Sequence, residues 1–142
     1  MLDTNVVLRM VSQLPDDEFR ADLRALLGSG AQLSMTQQTL FEFWAVFTRP
    51  AAANGMGGTP NEAFRIIGLL RAVFEVLSDP SDLLNRWLDL CKQCEISGKP
   101  AHDARQVAVA IANGITQIVT FDPGHFSRLT NMTIIDPSAD TL

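Results

Sequence analysis

The stretch "AHDARQVAVAIANGITQIVTFD", residues 101–122, passes from a helical pattern to a strand pattern and ends on an acid. Residues 101–113 are small or helix-forming, and Gly114 follows them, as glycine often follows the end of a helix. The run "QIVTF", residues 117–121, has the β-branched and aromatic composition of a strand, and Pro123 comes just after Asp122. A helix leading directly into a buried strand is the repeating unit of an α/β fold.

The same alternation continues towards both ends of the chain. Further strands are predicted in "MLD" (1–3), "AQLSMT" (31–36), "FEVLS" (74–78) and "MTIID" (132–136). Helices are predicted over "PDDEFRADLRALLG" (15–28), from Thr36 to about Arg49, from Pro60, and after "DPSD" (79–82). The order predicts a three-layer α/β/α sandwich around a central parallel sheet of four to five short strands. Because no repeat or long linker divides the chain, residues 1–142 are expected to form a single domain.

Three of these helices carry more detailed expectations. The helix after Thr36 has apolar residues around its whole axis, which indicates a buried helix, and Trp44 is expected in the core. Thr59 and Glu62 have the spacing of a capping box at the start of the next helix. The helix after residue 82 is expected to bury one face and to end at Gly98 and Pro100; that face comprises Leu84, Trp87, Leu88 and Cys91.

Composition excludes several classes of protein. The chain has 142 residues, of which 46% are hydrophobic and 19% charged, enough for a folded core. No apolar run reaches the length of a membrane span and the first residues do not resemble a signal peptide, so a cytoplasmic protein without a membrane partner is expected. The net charge of −5 argues against a broad basic surface for nucleic acid, but it is compatible with an acidic site that binds a cation.

Acids occupy the positions where an α/β fold places its chemistry. Asp3 and Asp122 each follow a predicted strand, and the carboxyl ends of parallel strands meet at one edge of the sheet. Asp103 lies in the first turn of its helix, where the helix dipole stabilises an anion. Glu42 lies within the apolar run "FEFWAVF", where a buried carboxylate needs a partner, a proton or a metal. Taken singly, Asp3 reads as an ordinary turn acid and Asp103 as a helix-start acid.

Four motifs together resemble the PIN domain family, and most of all its VapC-type toxin ribonucleases from bacterial toxin-antitoxin pairs. They are "LDTN" at 2–5, a glutamate at 42 in an apolar helix, "HDA" at 102–104 and "TFD" at 120–122 followed by "PGHF". The resemblance implies that the metal-binding and catalytic acids are Asp3, Glu42, Asp103 and Asp122. It also implies that Asn5 steadies the first aspartate and that Thr4 and Thr120 line the pocket.

The resemblance further implies an activity and its partners. The cofactor would be Mg²⁺ or Mn²⁺, which prefer oxygen ligands, and the reaction would hydrolyse RNA to a 5′-phosphate and a 3′-hydroxyl. The substrate would be a structured RNA such as transfer RNA, and a small antitoxin would bind the protein, itself expected as a homodimer. Among the cations near predicted loops, Arg49 and Arg105 are the best candidates for RNA contacts, ahead of Lys99 and Arg128.

Three alternatives remain open from the sequence. A PIN fold without catalysis would be an RNA-binding or protein-binding module. A receiver-type phosphoacceptor also groups acids at strand ends, but "TIIDPSAD" offers no lysine at the end of the last strand. A zinc site would need Cys91, Cys94, His102 and His125 together, and the two cysteines fall late in an amphipathic helix, where ordinary thiols are expected.

The first strand departs from the family pattern. PIN domains usually have several apolar residues before the first aspartate, whereas this chain has only Met1 and Leu2. Either the natural start lies upstream or the first strand is unusually short. Asp3 is therefore the acid whose position the sequence determines least.

Overall fold

The computed structural model describes residues 1–12, 28 and 30–137. Residues 15–27, which hold most of the first predicted helix, lie outside the described residues. The described helices are α1 (Thr4–Val11), α2 (Gln37–Thr48), α3 (Pro60–Val73), α4 (Leu83–Gln93), α5 (Pro100–Ala112) and α6 (Pro123–Phe126), with a short 3₁₀ turn at Ala51–Ala53. The strands are β1 (Ser34–Thr36), β2 (Glu75–Leu77), β3 (Gln117–Val119) and β4 (Thr133–Ile135).

The four strands form two parallel pairs, and residues 1–3 lie between them. β1 pairs with β2 and β3 pairs with β4. Leu2 forms a single parallel bridge with Val119, and its amide donates to the carbonyl of Ser34 at 2.7 Å. The prediction of short parallel strands is confirmed, but the expected first strand is reduced to one bridged residue. The segment is held on both sides, because Leu2 bonds to β1 while the carbonyl of Met1 and the amide of Asp3 bond to Val119 of β3.

Two hydrophobic clusters separate the helices into layers. Successive residues of a strand point to opposite faces of a sheet, and the chain follows this rule at its centre. Leu2 and Val119 belong to one cluster, whereas Met1 and Ile118 belong to the other. Residues of α1, α2 and α3 pack in the first cluster, and residues of α4, α5 and α6 pack in or against the second. This arrangement agrees with the predicted three-layer sandwich.

Helix α1 begins directly after the first aspartate and was not expected from the sequence. Asp3 is its N-cap residue, and the carboxylate accepts a hydrogen bond from the amide of Thr4. Val6 and Val7 are fully buried in the first cluster. β-branched residues favour strands, so burial against α2 outweighs local preference here.

Helix α2 begins where it was predicted but is not buried all round. Thr36 caps it by accepting from the amide of Thr39, and Phe43 and Phe47 are buried with their ring centroids 5.3 Å apart. Phe41 is 66% exposed and Trp44 is 37% exposed. The expectation of a fully buried helix with Trp44 in the core was therefore wrong, because α1 and α3 cover only part of its surface.

Most predicted starts of the remaining helices are confirmed, but the buried face of α4 differs from the prediction. Thr59 and Glu62 form the predicted capping box. Helix α4 ends at Gln93, before the predicted stop. Its buried face differs from the predicted one, because Leu84 and Leu88 are exposed. Trp87 does pack against the second cluster, as expected, and donates to the carbonyl of Ala101 at 2.8 Å. None of the described helices is long and apolar enough to cross a membrane.

Candidate active site

Asp3 lies at the centre of the candidate site and is 7% exposed. One carboxylate oxygen accepts from the amide of Thr4 at 2.6 Å and the other from the hydroxyl of Thr120 at 2.7 Å. Burial raises the pKa of Asp3 and the two hydrogen bonds oppose that shift, while the charges of Asp103 and Glu42 raise the pKa further. The charges of Glu42 and Asp103 therefore both act on Asp3, as expected for acids that share one pocket.

Glu42 projects from α2 with both carboxylate oxygens in hydrogen bonds. Oε2 accepts from the hydroxyl of Thr4 at 2.5 Å, and Oε1 accepts from the amide nitrogen of Gln38 at 2.6 Å. The side chain is half-buried rather than buried, so the cost of desolvation that the apolar sequence implies is smaller than expected. A carboxylate within "FEFWAVF" is tolerated because it faces the other acids and not the core.

Asp103 lies in the first turn of α5, as predicted, and its side chain is 19% exposed. Burial is the main cause of a raised pKa, and the charge of Glu42 adds to it. Lys99 and the histidines His125 and His102 oppose the shift, and His125 Nδ1 lies 3.6 Å from the carboxylate. Asp103 thus experiences the charge of a second acid and lies near a histidine.

Asp122 is exposed and is joined to Asp3 through two polar side chains. Its carboxylate accepts from Asn5 Nδ2 at 3.0 Å, and its amide donates to Thr120 Oγ1 at 3.0 Å. Asn5 Nδ2 also reaches Thr120 Oγ1 at 3.1 Å, and Thr120 in turn donates to Asp3. The three residues expected to support the pocket, Thr4, Asn5 and Thr120, therefore all contact the candidate acids.

The chemistry of these donors fits a hard divalent cation. Asp3 and Glu42 both accept from Thr4, and Asp122 is linked to Asp3 through Asn5 and Thr120. The charges of Glu42 and Asp103 both act on Asp3. In the part of the chain that the structure describes, no three carboxylate, histidine or cysteine side chains are close enough to enclose an ion. Mg²⁺ usually keeps several waters and takes only one or two protein carboxylates, so an open acidic pocket suits it. Asp3, Glu42, Asp103 and Asp122 are the residues that would hold it.

The two arginines predicted to contact RNA occupy different environments. Arg49 is exposed at the end of α2, seven residues beyond Glu42, or roughly 10 Å along the helix axis. Arg105 is linked to Glu42 through Gln38 and is already engaged: one nitrogen pairs with Asp79 at 2.5 Å and another donates to Gln38 at 3.2 Å.

The residues of the zinc alternative do not come together. Both thiols, Cys91 and Cys94, are free and pack against the second cluster. Burial raises the pKa of the Cys91 thiol, which favours the unreactive form. A structural zinc site needs its protein ligands in direct contact, and among the described residues, which include His102 and His125, no three such side chains are close enough to enclose an ion. The zinc site is therefore not supported.

Gln38 and Asp79 contact the site network and were missed from the sequence. Gln38 precedes Glu42 by four residues, so the two share one face of α2, and that spacing was a usable signal. Asp79 follows β2 by two residues and reaches Arg105 through the tertiary fold. Nothing in the local sequence marks that contact.

The fold and the site define an α/β domain with an acidic pocket at the carboxyl ends of its parallel strands. Residues 1–131 match the PIN domain. The chain belongs to the PIN domain family, and the resemblance seen in its motifs is thereby confirmed.

Several solved structures share this fold over nearly the whole chain. VapBC-1 from nontypeable Haemophilus influenzae is 19% identical, with 98% of both chains covered and a TM-score of 0.71. VapBC2 from Rickettsia felis, bound to a DNA fragment from their promoter, is 17% identical over 94% of this chain and 95% of the other, with a TM-score of 0.69. FitAcB from Neisseria gonorrhoeae is 16% identical over 96% of each chain, with a TM-score of 0.62. No curated protein sequence matches this chain significantly.

Proposed function

We propose that this protein is a Mg²⁺- or Mn²⁺-dependent endoribonuclease. The observation that carries the proposal is that Thr4 donates to both Asp3 and Glu42, which brings two carboxylates together at the carboxyl ends of the strands. Clustered carboxylates repel, and a divalent cation relieves that repulsion. Membership of the PIN family supports a nuclease over other uses of such a site.

Each residue of the pocket has a distinct part in the proposed reaction. A bound divalent cation would lower the pKa of the attacking water and stabilise the negative charge on the leaving oxygen. Thr4 fixes one oxygen of Glu42, and Thr120 fixes one oxygen of Asp3. Asn5 holds Asp122 at the open side of the pocket, where an RNA phosphate would enter. Hydrolysis would leave a 5′-phosphate and a 3′-hydroxyl.

We further propose that the protein is the toxin of a type II toxin-antitoxin pair. The support is the resemblance of its motifs to VapC-type toxins together with the shared fold of structures named VapBC and FitAcB. The partner would be a small antitoxin that covers the pocket. The substrate would be a structured RNA such as transfer RNA, met in the cytoplasm, and the protein would act as a homodimer. Arg49 is the better candidate for an RNA contact because it is exposed.

Replacing Asp103 by asparagine tests the proposed reaction. Asp103→Asn removes a charge with almost no change of volume, and loss of a metal ligand should lower the rate of RNA cleavage by at least about 100-fold. The measurement is cleavage of total RNA by the purified protein with Mn²⁺, followed on a denaturing gel. Circular dichroism of the same sample reports whether the fold is intact.

Asp89→Asn is the matched control. Asp89 lies exposed on α4, so the same chemical change there should leave the rate unaltered. Mn²⁺-dependent cleavage that survives undiminished in the Asp103→Asn protein would overturn the site assignment.

A binding module without catalysis is the second candidate. The observation that favours it is the open arrangement of the acids, which encloses no ion within the described part of the chain. Under this alternative the wild-type protein binds RNA or a protein partner and cleaves no RNA with either cation. Cleavage that requires Mg²⁺ or Mn²⁺ and Asp103 would exclude it.

A further inference from the structure

Gln38 uses every polar atom of its side-chain amide and is 6% exposed. Its nitrogen donates to Glu42 Oε1 at 2.6 Å and to the backbone carbonyl of His102 at 3.1 Å. Its oxygen accepts from Arg105 Nη1 at 3.2 Å. One buried amide thus joins the carboxylate of Glu42 to the first turn of α5, the turn that carries Asp103.

Arg105 sets the orientation of that amide. A guanidinium can only donate, so the amide oxygen of Gln38 must face Arg105 and the amide nitrogen must face the carboxylate of Glu42. Arg105 is held from its other side by Asp79, at 2.5 Å, in the loop after β2. Both partners of this ion pair are 29% exposed, so the contact is shielded from water over most of its surface.

We propose that Gln38 and Arg105 are positioning residues that hold Glu42 and Asp103 in the arrangement that binds the divalent cation. Glu42 is then fixed on both oxygens, by Gln38 on one and by Thr4 on the other. The inference rests on the proposed function, because it requires that these acids bind a cation. The inference also changes the role expected of Arg105: it orients Gln38, which in turn holds Glu42, and it does not serve primarily as an RNA contact.

Cation affinity distinguishes a positioning role for Arg105 from a purely electrostatic effect and from an RNA contact. Removing a positive charge near the acids would, by electrostatics alone, strengthen the binding of a divalent cation. An RNA contact at Arg105 would leave cation binding without RNA no weaker and would raise KM for RNA. Positioning predicts weaker cation binding in the absence of RNA, which is the opposite direction.

Gln38→Met is the first test, since methionine has nearly the same length and no hydrogen-bonding amide. Outer contacts to ligand residues typically contribute about 10- to 100-fold to metal affinity, so we expect the Kd for Mn²⁺ to rise by about 10-fold. The Kd is measured by calorimetric titration without RNA. The rise in Tm on adding Mn²⁺ should shrink as well, whereas a purely structural residue would lower Tm equally with and without the ion.

Arg105→Met is the second test and is decisive if the Gln38 variant does not fold. We expect a higher Kd for Mn²⁺, despite the lost positive charge. Arg105→Lys should restore part of the affinity because lysine still pairs with Asp79 but lacks the fork that reaches both partners. Arg86→Met is the matched control: Arg86 pairs with Asp82 on the exposed surface of α4, and its removal should leave the Kd for Mn²⁺ unchanged.

Failure of the positioning role and failure of the proposed function give different results. Wild-type protein that binds Mn²⁺ while Gln38→Met and Arg105→Met bind it equally or more tightly overturns the positioning inference and leaves the proposed function standing. Wild-type protein that binds no Mn²⁺ overturns both. Weaker binding in the two variants with an unchanged Arg86→Met protein supports the inference.

Discussion

Asp103 is partly buried and has a like-charged neighbour, Glu42. Both features lower the stability of the metal-free protein when Asp103 is charged. Its folded-state pKa is raised above the ordinary value of 3.8, first by burial and then by Glu42. A raised pKa means that the folded chain takes up the proton more readily than the unfolded chain does. The associated stability is therefore fully present below the ordinary pKa and is lost as the pH rises through the raised one.

Asp103→Asn should consequently make the metal-free protein more stable at about pH 7, where the wild-type residue is charged. The gain should vanish as the pH falls below the ordinary pKa of 3.8, since both proteins are then neutral at this position. Urea unfolding with a chelator present, repeated across this pH range, measures the difference. Asp89→Asn, on the exposed surface, should show no comparable gain. A less stable Asp103→Asn protein at neutral pH would mean that the contact with His125 outweighs burial.

At this scale the sequence predicts the acids but not what holds them. Asp3, Glu42, Asp103 and Asp122 are candidates from the sequence because each stands at a strand end, at a helix start or within an apolar helix, where a charge is unusual. The bond between Arg105 and Asp79 spans 26 positions and depends on where α5 lies against the loop after β2. Such contacts depend on how the elements pack together, so no local sequence pattern predicts them.

Two glycines show how differently the elements use this residue. In the loop after α2, a Cβ added at Gly58 would overlap the ring of Phe47, which is buried in the first cluster. In α3, a Cβ added at Gly68 would meet nothing within 4 Å. The loop glycine is therefore needed for close approach, whereas the helix glycine only adds conformational freedom to the unfolded chain.

Alanine at these two positions should have opposite effects on stability. Gly58→Ala should destabilise the protein by about 1 to 3 kcal/mol, because Phe47 must move within a packed core. Gly68→Ala should stabilise it by about 1 kcal/mol, the usual advantage of alanine over glycine inside a helix. The free energy of unfolding in urea measures both. A neutral Gly58→Ala protein would mean that the loop is not held against Phe47 in solution.

Elements were predictable where a local signal marks them. The caps at Thr36 and Thr59 and the end at Gly114 are short-range hydrogen-bond and backbone effects, and all three are confirmed. The buried faces of α2 and α4 were less predictable, because an apolar side chain does not reveal whether a neighbouring helix covers it. Trp44 and Leu84 are exposed for that reason.

Cation binding should stabilise the whole molecule if the proposed site is correct. A ligand that binds only the folded chain adds about 2.7 kcal/mol at a concentration of 100 times its Kd. We expect Mn²⁺ to raise the Tm of the wild-type protein and to raise it less as the pH falls, since protons compete for Asp3 and Asp103. Thermal unfolding with Mn²⁺ at several pH values tests this. NaCl at equal ionic strength controls for general screening of the net charge of −5.

The insertion of residues 1–3 between the two strand pairs has a consequence for the timing of assembly. Asn5 meets Thr120 across 115 positions of the chain, so the pocket joins some of the earliest of these residues to be synthesised with some of the latest. Synthesis proceeds at about 5 to 20 residues per second, and closing a loop of this length carries an entropic cost. The growing chain therefore carries no complete acidic centre until Asp122 has left the ribosome. If the proposed function is correct, the chain cannot cleave RNA before that point, and an antitoxin would have the whole period of translation in which to be made.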